Sequence, residues 1–373
     1  MTRAARLLLL TAALGSLAPA ARAERIMDSV DALTSALSAT QTQLERGDFK
    51  NLLANAQKAA QLAQDRFGPL HPSVAPYFDN LGVVEETLAH YPEAETHFEW
   101  SLALREKAGG PDDPALAPAL VSLAFLDGQL GRFEEAQVDI QRALALIEAA
   151  PDKPGLVGAL QLAGDLQYQA GHPDLAAGFW TRALAERPDP GVRVALLARL
   201  GSAEGSQGQL SQARASFQEA LRTAQRSFAP DDIRIADRLK DLGDLDLRSG
   251  RGDEGKELLE KALAMDLRFI GPEDTYANLP YHQRGADAYY SLGQWSQADA
   301  LYRRILSIKT GVYGPAHPEL ALTLEDLART AEKLGDRPGA KKDLADALAI
   351  LTRYFPDSHP LVVDLKARQA ALR

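Results

Sequence analysis

A chain of 373 residues with 51 acidic against 41 basic side chains carries a net charge of -10. That balance excludes the basic surface that nucleic-acid backbones or anionic membranes demand. With no cysteine, disulfides, thiolate catalysis and thiolate metal sites are excluded as well.

The first element, residues 1–23, reads as a secretory signal. Arg3 and Arg6 form a basic start, Leu7 to Ala18 is mostly apolar, and Ala21-Arg22-Ala23 supplies a small-x-small cleavage pattern before Glu24. An uncleaved anchor is the alternative, but the apolar run is shorter than the roughly 20 residues of a spanning helix. The chain is therefore expected to be exported, with the periplasm as first location, secretion or anchoring as alternatives, and no membrane span after cleavage.

From residue 24 onward the chain reads as one domain that repeats itself about every 42 residues, the mark of a solenoid. One small residue recurs at Ala94, Ala136, Ala176, Ala213, Gly255, Ala298 and Ala340, with Leu52 as a degenerate first copy. The second unit is the clearest. Tyr77, Phe78, Leu81, Val84 and Leu88 recur at helical steps, His90-Tyr91-Pro92 breaks the run, and Ala94, Phe98, Ser101, Leu102 and Arg105 resume it. The spacing predicts eight helix pairs over 29–67, 72–108, 114–150, 155–187, 191–227, 231–269, 274–311 and 317–354, then a capping helix over 359–373 whose Lys366, Arg368 and Gln369 face water. Each pair has a first helix (A) and a second (B).

The turn between A and B carries Gly47, Ala89, Gly131, Gly171, Gly208, Gly250, Gly293 and Gly335. Glycine accepts the left-handed conformation that ends a helix. Helix B then holds a large residue (Phe98, Ile140, Trp180, Phe217, Leu259, Tyr302, Leu344) and a second small one. Between pairs, a residue such as His71, Asp113, His317 or His359 precedes proline and caps the next helix. The shorter linker over 186–193 predicts shorter helices around it. The glycine-rich stretch 243–256 is expected to be the softest segment, since a helical glycine costs about 1 kcal/mol relative to alanine.

These columns, with Gly68-Pro69-Leu70-His71-Pro72, Asn80-Leu81-Gly82 and Tyr91-Pro92-Glu93-Ala94-Glu95, resemble the tetratricopeptide repeat family, and its kinesin-light-chain subtype in particular. The resemblance implies an all-α solenoid, a right-handed superhelix, whose A helices line a concave groove for a peptide or protein. Matched onto this chain, the groove row holds Asp79, Asn80, Val83, Gln161, Asp165, Tyr168, Lys240, Asp244, Gln283, Arg284, Asp287, Tyr290 and Arg329. In the subtype an asparagine before the helix A leucine bonds the peptide backbone. Asn80 matches it, while the equivalent places hold Ser122, Leu162, Arg199, Asp241, Arg284 and Asp326.

Other chemistry is weakly signalled. Gly250-Arg251-Gly252-Asp253-Glu254-Gly255 matches a dinucleotide string, but a helix precedes it where a strand is needed. No H-x-x-x-H pair occurs among seven histidines. The expectation is a non-catalytic interaction scaffold without cofactor or metal. A self-associating envelope protein and an accessory subunit of an envelope enzyme or assembly machine are the alternatives.

Overall fold

The computed structural model describes residues 42–43, 47–49, 51–270 and 275–372. The expected signal sequence, its expected cleavage site at Ala23 and Glu24, and most of the expected helix A of the first pair lie outside the described residues. Among the described residues there are sixteen α-helices and no strand. Helix B of the first pair is α1 (Leu52–Phe67). Seven A/B pairs follow: α2 (Ala75–Thr87) and α3 (Tyr91–Gly109), α4 (Ala117–Gln129) and α5 (Phe133–Ala149), α6 (Leu156–Gln169) and α7 (Pro173–Ala185), α8 (Pro190–Ser206) and α9 (Leu210–Ser227). They continue with α10 (Ile233–Arg248) and α11 (Gly252–Asp266), α12 (Leu279–Ser291) and α13 (Trp295–Tyr313), and α14 (Glu319–Leu334) and α15 (Arg337–Leu351); α16 (Pro360–Ala371) closes the series. The chain falls into two compact units, one through Leu162 and one from Ala163.

The repeated columns are the core. Ala94, Ala136, Ala176, Ala213, Ala298 and Ala340 are all fully buried, as are Phe98, Ile140, Leu259 and Leu344. A methyl at the small position lets the two helices of a pair approach, and the large residue fills the space beyond it. In the sixth pair the approach is closer still. A Cβ on Gly255 would lie 2.8 Å from the Gly243 carbonyl oxygen and 2.8 Å from the Leu247 nitrogen. Backbone against backbone leaves nothing to give way, so this packing opposes the softness expected from glycine content alone.

The glycines of the turn column have positive φ, and Ala89 shares that conformation at φ 60. An L-residue there carries strain of roughly 1–2 kcal/mol, against which glycine's extra unfolded-state entropy counts about 0.5–1 kcal/mol. Ala89→Gly is therefore expected to stabilise the protein by about 0.5 kcal/mol, read as a higher urea midpoint. A lower midpoint would mean that burial of the Ala89 methyl outweighs the strain.

The linkers behave as the sequence implies. Nδ1 of His71, His317 and His359 accepts the backbone N–H two residues on, at 3.2, 3.2 and 3.3 Å. Asp113 and Asp232 cap in the same way at 2.9 Å each. The short linker before α8 departs from expectation. α7 has 13 residues, but α8 has 17, because Asp189 accepts from the Gly191 and Val192 amides and starts α8 directly at Pro190. In α16, Val362 and Leu365 are buried. Lys366 is exposed, but Arg368 does not face water as expected: it reaches Glu325 at 2.6 Å and Glu332 at 3.2 Å on α14.

Candidate functional site

On α2 the expected groove residues are enclosed. Asp79 is fully buried and pairs with Arg105 at 2.5 Å. Asn80 is 3% exposed with its Oδ1 unpaired, and Val83 is 1% exposed. Gln161 on α6 is also buried. In this structure these four are packing or pairing groups and present no open surface to a partner.

The second unit is different. Asp165 on α6 accepts from Arg199 Nε of α8 at 2.7 Å and from the Trp180 indole N–H at 3.1 Å. These bonds fix the end of α6, where Tyr168 stands 38% exposed with its ring 5.9 Å from that of Trp180. Small residues on α8 then leave space beside Tyr168. A cavity of about 600 Å³ opens between α6, α8 and α10, walled by Tyr168, Trp180, Val194, Ala198, Arg199 and Arg238. A second of about 300 Å³ continues past Ser202 and Gly205 to Phe217 and Arg248. Tyr168, Ser202 and Asp241 line both cavities.

The remaining expected residues form a polar row on α10, α12 and α14. Lys240 pairs with Asp244 at 2.9 Å and approaches Asp287 at 4.0 Å. Asp287 accepts from Tyr302 Oη at 2.7 Å and Gln283 Nε2 at 3.1 Å, and Gln283 also reaches Asp326 at 3.2 Å. Arg329 pairs with Asp326 and lies over the Tyr290 ring, 5.3 Å from its centroid. Arg284, expected in the groove, is 5% exposed and is bound by Asp266 and Asp237, so it is a structural ion. Burial raises the Asp287 carboxyl above its usual range, although Lys240 draws it down. Asp241 is raised for the same reason, with Arg238 and Lys240 opposing. Burial works against the Lys240 charge, but Asp244 and Asp287 offset it and hold its pKa above the ordinary lysine value.

Sequence reasoning missed Arg238 and read Trp180 as core alone. Trp180 is core at 2% exposure, yet its N–H also orients Asp165. The only readable sign of Arg238 was its i,i+3 spacing from Asp241, to which it pairs at 2.9 Å.

Two carboxyls of the first unit, Asp127 and Asp139, are raised above their usual range, both first of all by burial. Asp139 on α5 sits twelve residues after Asp127 on α4, the offset that joins Glu85 to His97 at 2.5 Å and Glu204 to Ser216 at 2.7 Å in other pairs. Here acid meets acid. Burial, then the Asp127 charge, push Asp139 up to about 6, with Arg142 opposing. The native chain thus binds a proton more tightly than the unfolded chain, so stability falls as pH rises from about 4 through about 6. Asp139→Asn is expected to stabilise by about 1–2 kcal/mol at about pH 8 after solvent screening, and by less than half of that at about pH 4.5. Denaturant midpoints at the two pH values read this directly. An equal gain at both would remove the titration as its cause.

The glycine string of 250–255 is no phosphate cradle. Gly250 ends α10 in a left-handed turn, Gly252 begins α11, and Gly255 packs on Gly243. Among the described residues, no three metal-ligating side chains gather and no helix is long and apolar enough to cross a membrane.

No curated protein matches the sequence. Among solved structures, the apo quorum sensor NprR from B. thuringiensis is similar at a TM-score of 0.57 and 12% identity, covering 94% of this chain and 97% of that one. A thermophilic TPR protein from Thermus thermophilus matches at 22% identity over 58% of this chain and 98% of its own, TM-score 0.42. Kinesin-light-chain TPR-like repeats from Podosopora anserina match at 20% identity over 53% and 95%, TM-score 0.37. The tetratricopeptide repeat profile matches residues 41–107, 193–272 and 278–353, more than half of the chain. With its buried small and large columns and its paired helices, the chain belongs to the tetratricopeptide repeat family.

Proposed function

We propose that this chain is an exported, non-catalytic scaffold that holds a protein or peptide partner on the A-helix face of its second unit, with Tyr168 as the anchor. Tetratricopeptide repeats are protein-interaction scaffolds, and the observation that carries the site is the pair of adjoining cavities sharing Tyr168, Ser202 and Asp241. An exposed aromatic beside a preformed space is where binding energy concentrates. Recognition is by side chains entering these cavities. Of the matched asparagine column only Asn80 is asparagine, and its Oδ1 is buried. The reading of export is supported by the basic start, the apolar run and the Ala21-Arg22-Ala23 pattern, and the periplasm is the location proposed for the partner.

The test is a cross-linked pulldown from envelope extract with the tagged full chain beside Tyr168→Ala. A partner retained by the parent and lost at least about tenfold with the variant supports the site, since an anchor of this kind carries about 1.4 kcal/mol or more. Equal capture by both moves binding away from Tyr168. N-terminal sequencing of the purified protein is expected to begin at Glu24, and a chain that retains residues 1–23 would contradict cleavage.

A further inference from the structure

The column that starts at Asn80 changes character in the second unit. One residue per repeat, it reads Arg199, Asp241, Arg284, Asp326, Arg368, positive and negative in alternation. Each arginine reaches back to an acid on the preceding A helix: Arg199 to Asp165 at 2.7 Å, Arg284 to Asp237 at 2.7 Å, and Arg368 to Glu325 at 2.6 Å. The aspartates complete the series. Asp326 accepts from Gln283 of the preceding A helix at 3.2 Å. Asp241 holds Arg238 at 2.9 Å, and Arg238 reaches the Val194 carbonyl on α8 at 3.5 Å. Every junction between successive A helices from α6 to α16 is therefore crossed by a polar link.

The two sides of each repeat differ in kind. Between A and B of the second unit the apolar columns dominate, with only single polar contacts beside them, such as Trp180 to Asp165 and Tyr302 to Asp287. Between one A helix and the next, part of the holding force is ionic and partly open to water; Asp237 is 39% exposed and Asp165 21%. One such pair contributes little, at most about 1 kcal/mol. In a linear array, however, each repeat touches only its neighbours, so a small change at every junction adds along the series.

We propose that the alternating column is a charged zipper, with ion pairs at three junctions and a hydrogen bond carrying one charge at the other two, that sets the spacing of the A helices in the second unit, so that the width of its inner face responds to ionic strength. The device holds whether or not that face has a partner.

The cysteine-free chain allows a direct test. Gln207→Cys and Lys333→Cys, at the exposed ends of α8 and α14, carry a spin-label pair on the full chain, and their separation is read by dipolar spectroscopy. Salt is raised from about 0.1 M to about 1 M, which shortens the screening length from about 10 Å to about 3 Å. A shift of about 1 Å per junction, the lower end of helix movements at packed interfaces, gives an increase of about 3 Å over three junctions. Asp237→Asn with Asp326→Asn leaves the buried Arg284–Asp266 pair intact and is expected to show about two thirds of the lengthening already at low salt, with only the Arg238 link between α8 and α10 left to respond. Lys342→Gln, which breaks an exposed pair on α15, is expected to behave as the parent. A parent distance that stays within about 1 Å across the salt range overturns the proposal, and that measurement needs no charge substitution. A folded double variant with the parent's low-salt distance overturns it equally.

Discussion

Arg284→Met is expected to lower stability by about 3–5 kcal/mol, the cost of leaving one member of a buried ion pair alone. The Arg284 side chain is 4% exposed and that of Asp266 is 1% exposed. The guanidinium bonds Asp266 on α11 and reaches Asp237 on α10, so one side chain ties three helices together. Burial already holds the Asp266 carboxyl above its usual range, and Arg284 is the group that draws it down. Without it the carboxylate has no compensating charge. Adding Asp266→Leu to Arg284→Met is expected to recover most of the loss, because a buried pair replaced whole by apolar groups is often neutral. Asp237→Asn alone is expected to cost less than about 1 kcal/mol, since that partner is open to water. Urea unfolding followed by far-UV circular dichroism reads all three. A loss below about 1 kcal/mol for Arg284→Met would mean that water reaches Asp266.

Trp180→Ala is the second large effect, expected at about 3–5 kcal/mol for a large aromatic removed from a packed site. Its indole is 2% exposed, among the largest fully enclosed side chains. It also has a duty outside the core. Its N–H binds Asp165, which in turn holds Arg199, and its ring stands beside Tyr168. Trp180→Phe separates the two roles. Phenylalanine keeps most of the packing and drops the donor, at a cost of about 1 kcal/mol for the hydrogen bond. If Tyr168 is the anchor of a partner site, Trp180→Phe weakens capture in the pulldown by more than its stability loss accounts for. Unchanged capture would restrict Trp180 to packing.

What the sequence made legible and what it hid divide along a physical line. The columns at Ala94, Phe98 and their copies were readable because apolar burial is governed by helical period, and a residue on the wrong face would leave the core. The histidine and aspartate caps were readable because their hydrogen bonds close within two residues. The groove was not, because several of its polar residues choose partners across 30 or more positions, as Arg199 does with Asp165 and Arg284 with Asp237. Several carboxylates lie within reach of each guanidinium, and only the fold selects among them. For that reason Arg284 was placed on the open face while the structure buries it. Similarly, Asp139 looks like any surface acid in sequence, and it is its burial in the fold, with its register against Asp127 added, that displaces its titration.

The linkers carry a consequence for how such a chain changes length. Phe67 and His71, Tyr313 and His317, and Phe355 and His359 each stack ring on ring, at 5.8, 4.4 and 4.2 Å, while the same histidine caps the following helix. The stack and the cap at each of these joints close within the aromatic and the six residues after it. A cut and splice placed at two such seams moves a whole repeat with its joint already assembled. Duplication or loss of a unit by recombination within these seams carries the stack and the cap along with it, so the number of repeats is free to drift while each joint keeps its own stack and cap.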